Sequence, residues 1–407
     1  MNAVKASTTV LKMVRRGEMN ASGSRVILRA AGMAAFCLLG CVIARGQGTG
    51  AGTEQKPQLV EQVFKNVQLL KGVPVEEFME TMGFFAASTG LNCSDCHTEE
   101  SGSDWTKYAD DTPLKNRARM MILLVQTINR TSFSGQRMVT CWTCHRGTTH
   151  PRVIPDLAVQ YSEMPDTEPD EIVANRDASV DPIFNKYIQA IGGAQRASAV
   201  TSFAGKGTYQ GYETALEKVS VDVYARAPNQ RATFAHMPDG DSIWAYDGRA
   251  GWLSAPQTLR PLPLIPLTGD DLAGAKFDAI VSFPMKIKES LVDWRVGFPE
   301  KIDTAEEEVQ VIQGRLVAGG LPVKLYFDST SGLLLRYVRY SNSPVGVVPT
   351  QVDFSDYRDV NGVKMPYQWV VTWTDGRSTL IMSELHANVA IDAAKFGKPI
   401  PSWRADR

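Results

Sequence analysis

The sequence has no basic surplus outside its first residues. Over 407 residues, 43 Lys and Arg stand against 44 Asp and Glu, a formal net charge of −1. Residues 1–46 hold seven basic residues and one acid, so the remainder has 36 basic and 43 acidic residues, a net charge of −7. An acidic body lacks the electrostatic footprint of nucleic-acid-binding proteins, so no nucleic-acid partner is expected.

Long apolar runs are also scarce. The longest extends from Ala30 to Ala44 and follows Arg25 and Arg29. It is shorter than the roughly 20 residues that cross a bilayer. A basic leader, an apolar stretch and a small-residue exit are typical of a secretory signal peptide. We expect residues 1–46 to be such a signal and the mature protein to be periplasmic. An uncleaved anchor, or lipidation at Cys41 in the lipobox-like Leu38-Leu39-Gly40-Cys41, is the alternative.

Cysteine is rare, and its arrangement is specific. Six cysteines fall to four without the leader, and these occur as Cys93-Ser94-Asp95-Cys96-His97 and Cys141-Trp142-Thr143-Cys144-His145. The pattern C-x-x-C-H is the attachment signature of c-type haem. The two thiols form thioethers with the porphyrin, and the histidine is the proximal iron ligand. The sequence therefore predicts two covalent haems, bound through Cys93, Cys96, Cys141 and Cys144, with His97 and His145 on the irons.

Three other uses of four cysteines fit less well. Two disulfides would suit an exported protein but leave both trailing histidines unexplained. A Cys₄ zinc site usually has its C-x-x-C pairs 15–20 residues apart, whereas 44 residues separate these pairs. Thioredoxin-like redox motifs do not normally occur in pairs followed by histidine. Haem attachment is the interpretation that accounts for all four cysteines and for the histidine that follows each pair.

A helix is expected before each pentapeptide. Pro74 suits the first turn of a helix through Phe85 that Gly90 could end, and Pro113 opens a second helix, Leu114 to Ile128. The second has Met121, Leu124, Val125 and Ile128 on one apolar stripe. Methionine on such a face usually packs in the core. A thioether there could also supply the sixth ligand that a haem iron needs.

Residues 60–150 resemble the cytochrome subunit of the photosynthetic reaction centre of purple bacteria. The matching stretches are Phe78-Met79-Glu80-Thr81-Met82, Arg119-Met120-Met121 and Val139 to Gly147. In that family each haem unit is a helix, a turn and C-x-x-C-H, with a helix methionine as distal ligand. The resemblance implies Met82 as the distal ligand of the first iron and Met121 of the second, with Met79 and Met120 as the alternatives.

The second half changes from helical to strand periodicity. Residues 156–181 form an acidic, Pro-punctuated stretch that predicts a linker with few contacts to either side. A short helix, Pro182 to Ile191, should follow it. Hairpin turns are expected at Asp239-Gly240, Asp247-Gly248, Asn361-Gly362 and Asp375-Gly376. These features predict an antiparallel β domain over residues 182–392 and a C-terminal tail over 393–407.

This β domain resembles the half-barrel of periplasmic lipoprotein carriers, including the stretch from Tyr357 to Pro366. The resemblance implies a concave face that can hold an acyl chain, lined by Trp244, Trp252, Trp369 and Trp373, although tryptophans in strands more often form core. The half contains no G-x-S-x-G, metal constellation or paired-carboxylate site. His236 and His386 are expected to be structural, and His150 to face solvent or a haem edge.

The expected fold class is α + β multidomain: a small all-α dihaem cytochrome c domain over residues 47–155, followed by the half-barrel-like sheet. The expected function is single-electron transfer by a periplasmic cytochrome that is not an enzyme, with membrane association or a lipid anchor as the alternative location. Its partners would be redox proteins of the periplasm or membrane surface, and the resemblance implies a photosynthetic reaction centre. The alternatives are a dihaem peroxidase-like enzyme, and a lipid- or lipoprotein-binding factor with a hydrophobic ligand in the β domain.

Overall fold

The computed structural model describes residues 56–154, 178–256, 260, 262–305, 307–317 and 320–401. The predicted signal peptide and most of the predicted linker lie outside these residues. Within the described ranges, no helix combines the length and the apolar character needed to span a membrane.

Five helices form the N-terminal part of the described chain. They are α1 (Val60–Val63), α2 (Val75–Thr89), α3 (Cys93–Cys96), α4 (Pro113–Ser132) and α5 (Cys141–His145), with 3₁₀ turns at Glu99–Gly102 and Trp105–Ala109. As predicted, α2 starts after Pro74 and ends at Gly90, whose φ of 71° is left-handed. The α4 helix starts at a Thr112 cap, whose side chain accepts a hydrogen bond from the Lys115 amide at 3.1 Å.

The buried face of α4 differs from the predicted apolar stripe. Met121 and Leu124 are 37% and 50% exposed, whereas Ile122 and Asn129 are buried. The Asn129 side chain accepts a hydrogen bond from the Val139 amide at 2.9 Å and donates to the Val139 carbonyl at 2.7 Å. A polar residue thus anchors the helix to the segment before the second pentapeptide, which an apolar pattern cannot predict.

The remaining chain forms a large antiparallel sheet with four further helices. The helices are α6 (Asp181–Ala190), α7 (Ala194–Ala199), α8 (Gly269–Val281) and α9 (Pro284–Ser290). The strands are β1 (Ser202–Gly211), β2 (Val219–Arg226), β3 (Gln230–Met237), β4 (Gly240–Tyr246), β5 (Gly251–Ser254), β6 (Leu264–Leu267), β7 (Val292–Val296), β8 (Val309–Arg315), β9 (Pro322–Asp328), β10 (Leu334–Ser343), β11 (Gly346–Val360), β12 (Val363–Trp373) and β13 (Gly376–Ala387).

The described strands lie in the order β6-β5-β4-β3-β2-β1-β13-β12-β11-β10-β9-β8-β7. Two runs of neighbouring hairpins are thus joined where β1 pairs with β13, with Phe203 opposite Ala387. All four predicted Asp-Gly and Asn-Gly turns connect consecutive strands. The two edge strands, β6 and β7, are linked through α8 and α9, which the sequence did not predict.

The sheet curves around α2. Met79 packs on Leu253 and Ile265 of β5 and β6, whereas Phe84 packs on Val345 and Val348 at the β10–β11 hairpin. In a flat sheet, β6 and β10 would lie nine strand spacings apart, about 43 Å. Met79 and Phe84 are separated by only about 7.5 Å along the helix. One helix can contact both sets of strands only because the sheet rolls into a half-barrel.

The helical part and the sheet belong to one compact unit, residues 54–407. Glu76 of α2 accepts hydrogen bonds from Arg260 at 2.9 Å, and Glu80 accepts one from Ser341 of β10 at 2.8 Å. The expectation that few contacts join the two halves is therefore wrong. The composition of the acidic linker does not reveal this packing, because the contacts come from α2, which is far from the linker in sequence.

The predicted C-terminal tail is also partly structured. Residues Ala393–Phe396 form a 3₁₀ turn, and Phe396 is fully buried in a cluster with Trp252 and Ala232. The guanidinium carbon of Arg226 lies 5.1 Å from the centroid of the Phe396 ring. The chain up to Phe396 therefore contributes to the core of the β half.

Candidate functional site

Each C-x-x-C-H pentapeptide forms a capped single helical turn. At the first, the Asn92 side chain accepts from the Asp95 amide at 3.1 Å, and Asp95 accepts from the Asn92 amide at 2.8 Å. At the second, Thr140 and Thr143 make the equivalent pair, at 3.3 and 3.0 Å. These reciprocal caps hold each turn closed. Two cysteines three residues apart therefore share one face in both pentapeptides.

The four thiols are free, and Cys141 is buried. Burial raises the pKa of Cys141 to about 11 and also raises the pKa of Cys93 and Cys96. No three His, Cys, Asp or Glu side chains converge on a common point within the described ranges. No disulfide joins these four cysteines.

The two histidines have different surroundings. His145 Nδ1 lies 3.0 Å from the Thr148 carbonyl oxygen, so the ring donates there and its Nε2 carries the free lone pair. The ring of His97 lies 4.7 Å from that of Tyr108, and its buried Nδ1 has no hydrogen-bond partner among the described residues. Burial, and then the charge of Lys115, lower the pKa of His97. Both imidazoles therefore suit metal ligation in the neutral form.

All eight predicted haem-site residues except Cys144 line one cavity of about 1780 Å³. Met82 and Met79 both line it, but Met79 also packs on Val75, Leu253 and Ile265. Met121 lines the cavity, whereas Met120 is 58% exposed and does not. The cavity is thus lined by Met79, Met82 and Met121 but not by Met120.

The two pentapeptides are connected crosswise to the long helices. The Gly147 amide, just after the second pentapeptide, donates to the Ser88 carbonyl of α2 at 2.9 Å. The Thr112 hydroxyl at the start of α4 donates to the Cys96 carbonyl of the first pentapeptide at 2.5 Å. The α2 helix thus contacts the second pentapeptide segment, and α4 contacts the first. These crossed contacts join the two units into a single assembly.

The sheet supplies part of the cavity wall. Trp244, Trp369 and Trp373 line it, as the resemblance implied, whereas Trp252 is core. At the β12–β13 turn, a Cβ on Gly83 of α2 would lie 2.7 Å from the Thr374 hydroxyl. This contact places the turn directly against the helix that carries Met82.

Polar groups of the sheet and of α8 also face this cavity, and no sequence pattern predicted them. Tyr209 donates to Glu213 at 2.9 Å, and Glu213 lies 3.9 Å from Arg260. Burial, and then the charge of Glu80, raise the pKa of Asp271 of α8 well above its usual range. Burial likewise raises the pKa of Glu80, and the hydrogen bond from Ser341 opposes that rise. Carboxyls are therefore held in the wall between the two halves.

The other histidines take no part in this wall, apart from the exposed His150, which borders the cavity. His236 Nδ1 lies 2.9 Å from Asp241, and His386 Nε2 lies 3.3 Å from Glu384. Neither of these two lines the cavity.

Comparison with known proteins gives matches to both halves. Residues 47–180 match the family model described as photosynthetic reaction centre cytochrome C subunit. The photosynthetic reaction center cytochrome c subunit of Rubrivivax gelatinosus is 35% identical over 111 residues, 26% of this chain and 28% of that protein. The same subunit of Thermochromatium tepidum is 35% identical over 97 residues, 22% of each chain. The chain thus spans about a quarter of the length of these relatives.

Solved structures match the second half. A putative outer membrane lipoprotein-sorting protein domain from Vibrio parahaemolyticus has a TM-score of 0.37 and 12% identity, covering 53% of this chain and 97% of that one. A LolA superfamily protein from Nitrosomonas europaea has a TM-score of 0.36 and 15% identity, covering 54% and 98%. These scores make the likeness to lipoprotein carriers a coarse one. The segment with both pentapeptides, by contrast, is similar in sequence to the cytochrome c subunit of photosynthetic reaction centres.

Proposed function

We propose that this protein is a periplasmic dihaem c-type cytochrome that carries single electrons. The observation that carries the proposal is the pair of capped C-x-x-C-H turns, whose two histidines face one cavity together with Met82 and Met121. Haem c, when bound, supplies an iron that takes up and releases one electron.

The residues divide into three roles in this proposal. Cys93 and Cys96 hold one haem through thioethers, and Cys141 and Cys144 hold the other. His97 and His145 occupy the proximal positions, and the hydrogen bond from His145 Nδ1 to Thr148 orients that ring. Met82 and Met121 would be the distal ligands, and with both in place neither iron would have an open position for a substrate. That occupancy favours electron transfer over a peroxidase-like reaction.

The surface around the second pentapeptide also suits a porphyrin. Leu124 and Trp142 are each 50% exposed, and Met121 is 37% exposed. Large apolar side chains that stay exposed can mark a binding surface. They lie on α4 and α5, the two elements that carry Met121 and His145.

The partners and location follow from the same proposal. Covalent attachment of haem to C-x-x-C-H takes place outside the bacterial cytoplasm, which agrees with the predicted signal peptide. The partners would be redox proteins of the periplasm or membrane surface. A photosynthetic reaction centre is the partner that the matched relatives suggest.

The test is to produce the full chain in a host that attaches c-type haem. The intact mass should correspond to two haems, and changing Cys93 and Cys96 to Ala should remove one of them. Changing Cys141 and Cys144 to Ala should remove the other. Unmodified thiols, or a single haem in the unchanged chain, would contradict the proposal.

The distal positions are tested by spectroscopy of the oxidised and reduced protein. Both irons should be low-spin, and Met121→Ala should alter the spectrum and lower the potential of the second haem, whereas Met120→Ala should not. Carbon monoxide binding to the unchanged reduced protein would indicate an open site and favour the peroxidase-like alternative.

A further inference from the structure

Arg231 places a guanidinium group in the cavity wall on the sheet side. It lies on β3, and its Nη1 donates to the Ser282 hydroxyl, beyond the end of α8, at 2.8 Å. Its guanidinium carbon lies 5.0 Å from the centroid of the Trp369 ring on β12. These contacts fix the cation over the aromatic face, at the border of the 1780 Å³ cavity.

No side chain of the described residues forms an ion pair with Arg231. Asp278 of α8 attracts it, but that carboxylate accepts from Arg339 Nε at 3.1 Å and from the Tyr337 hydroxyl at 2.9 Å. Arginine keeps its proton in proteins, and burial lowers the pKa of Arg231 without neutralising it. A cation in a largely apolar cavity wall is costly unless an anion is paired with it. Its charge therefore suits an anion that enters the cavity.

Apolar groups surround this cation. Phe203, Phe354 and Val371 line the same cavity and pack in the same cluster as Trp369. The indole Nε1 of Trp369 is a second buried donor, and no described residue accepts a hydrogen bond from it. The cavity wall thus has two hydrogen-bond donors, the Arg231 guanidinium and the Trp369 indole N–H, and an apolar surface beside them.

We propose that Arg231 binds a carboxylate group carried on an apolar body. Charge-assisted hydrogen bonds from the guanidinium to the carboxylate would hold it, since arginine matches that geometry. The carboxylate could come from a free fatty acid or from a propionate of a bound haem. Trp369 lies four residues, about 13 Å of strand, before Trp373 at the end of β12, next to the turn that contacts α2. This separation favours the free acid.

The experiment measures binding to the full-length, haem-loaded protein by calorimetry, with dodecanoate and 1-dodecanol as the paired probes, both below the concentration at which they form micelles. Dodecanoate should bind at least tenfold more tightly than the alcohol. Arg231→Met should abolish that preference, and Arg231→Lys should restore part of it. Arg249→Met is the matched control, because Arg249 is exposed in the β4–β5 turn and does not line the cavity.

A second arm separates the two sources of the carboxylate. If a haem propionate occupies Arg231, the haem-loaded protein should not bind dodecanoate. Arg231→Met should then lower the midpoint potential of one haem, because a cation beside the haem favours its reduced form, and Arg249→Met should leave it unchanged. Circular dichroism and thermal melting establish that each variant is folded.

Three results would overturn the proposal. One is equal affinity for dodecanoate and dodecanol in the unchanged protein. Another is dodecanoate binding that survives Arg231→Met at full strength in a folded variant. The third is the absence of both dodecanoate binding and a potential shift. The first two results concern dodecanoate binding alone, so the fatty-acid form of the proposal can fail or stand separately from the proposed electron-transfer function.

Discussion

The carbonyl oxygen of Gly147 lies 2.5 Å from the point that a Cβ on Gly90 would occupy. Both glycines have a left-handed φ, 71° and 78°. Gly90 ends α2, and Gly147 follows the second pentapeptide, so two backbones meet where no side chain fits. This contact joins the helix that carries Met82 to the turn that carries His145, so the segments before the first pentapeptide and after the second support each other.

Gly90→Ala should therefore destabilise the protein strongly. A left-handed φ costs a non-glycine residue about 1–2 kcal/mol, and the clash with a backbone atom adds about 1–3 kcal/mol. Gly72→Ala is the control, because Gly72 has a φ of 79° but nothing within 4 Å of its Cβ position. Denaturant unfolding should show the larger loss for Gly90→Ala. Equal losses would mean that the backbone contact is unimportant.

The choice between Met82 and Met79 predicts two different phenotypes. Met82→Ala should lower the potential of the first haem and change its ligation, because Met82 lines the cavity and belongs to no described hydrophobic cluster. Met79→Ala should leave the potential nearly unchanged but cost about 2–4 kcal/mol of stability, since Met79 packs on Leu253 and Ile265. Potentiometric titration and thermal unfolding of both variants separate these outcomes. The reverse pattern would make Met79 the ligand.

Local features of the fold were predictable because their signals are local. The limits of α2 follow from Pro74 and Gly90, and four strand connections follow from Asp-Gly and Asn-Gly pairs. The pentapeptides were recognisable because attachment chemistry requires those residue types at that spacing. In each case a few neighbouring residues determine the outcome.

Long-range packing was not predictable from the same signals. The contact of Gly83 with Thr374 joins residues far apart in the chain, and nothing around Gly83 indicates it. The Arg231 site likewise needs β3, β12 and α8 to meet, which only the curvature of the sheet brings about. The Pro-rich, acidic composition of the linker led to the prediction of two independent halves. That composition concerns only the covalent connection and does not show which surfaces pack against each other.

The ion pair between Glu76 and Arg260 should stabilise the packing of α2 on the sheet. Arg260 Nη1 lies 2.9 Å from Glu76, and the two side chains are only 21% and 16% exposed. In Glu76→Gln the nearest carboxylate to the Arg260 cation is that of Glu213, 3.9 Å away. The free energy of unfolding should fall by about 3 kcal/mol. Arg358→Gln, in an ion pair with Asp356 that is 52% and 40% exposed, should cost less than about 1 kcal/mol. Similar losses in chemical denaturation would argue against a buried interface.

A chain ending at Asp166 should fold less stably than the full chain. It would leave Phe84 and Met79 without the strand residues on which they pack. Newly exposed apolar surface should increase the binding of a hydrophobic dye and the rate of limited proteolysis. If the shorter chain keeps the melting temperature, both haems and both potentials of the full protein, the sheet has no structural role in the haem site.

The carboxyl of Asp271 should make stability depend on pH. Burial, and then Glu80, raise its pKa in the folded state, while the unfolded chain loses this proton near pH 4. The folded protein therefore binds the proton more tightly, and this contribution to stability falls as the pH rises above about 4. Asp271→Asn removes the titration and can still donate a hydrogen bond to Glu80, so its stability relative to the unchanged protein should increase between pH 4.5 and 7.5. In Asp181→Asn the difference should change little between these two pH values, because Lys288 lowers the pKa of Asp181 and this carboxyl titrates below about pH 4 in both the folded and the unfolded chain. Denaturant unfolding at the two pH values measures both, and a difference for Asp271→Asn that does not change with pH would show that the carboxyl titrates normally in the fold.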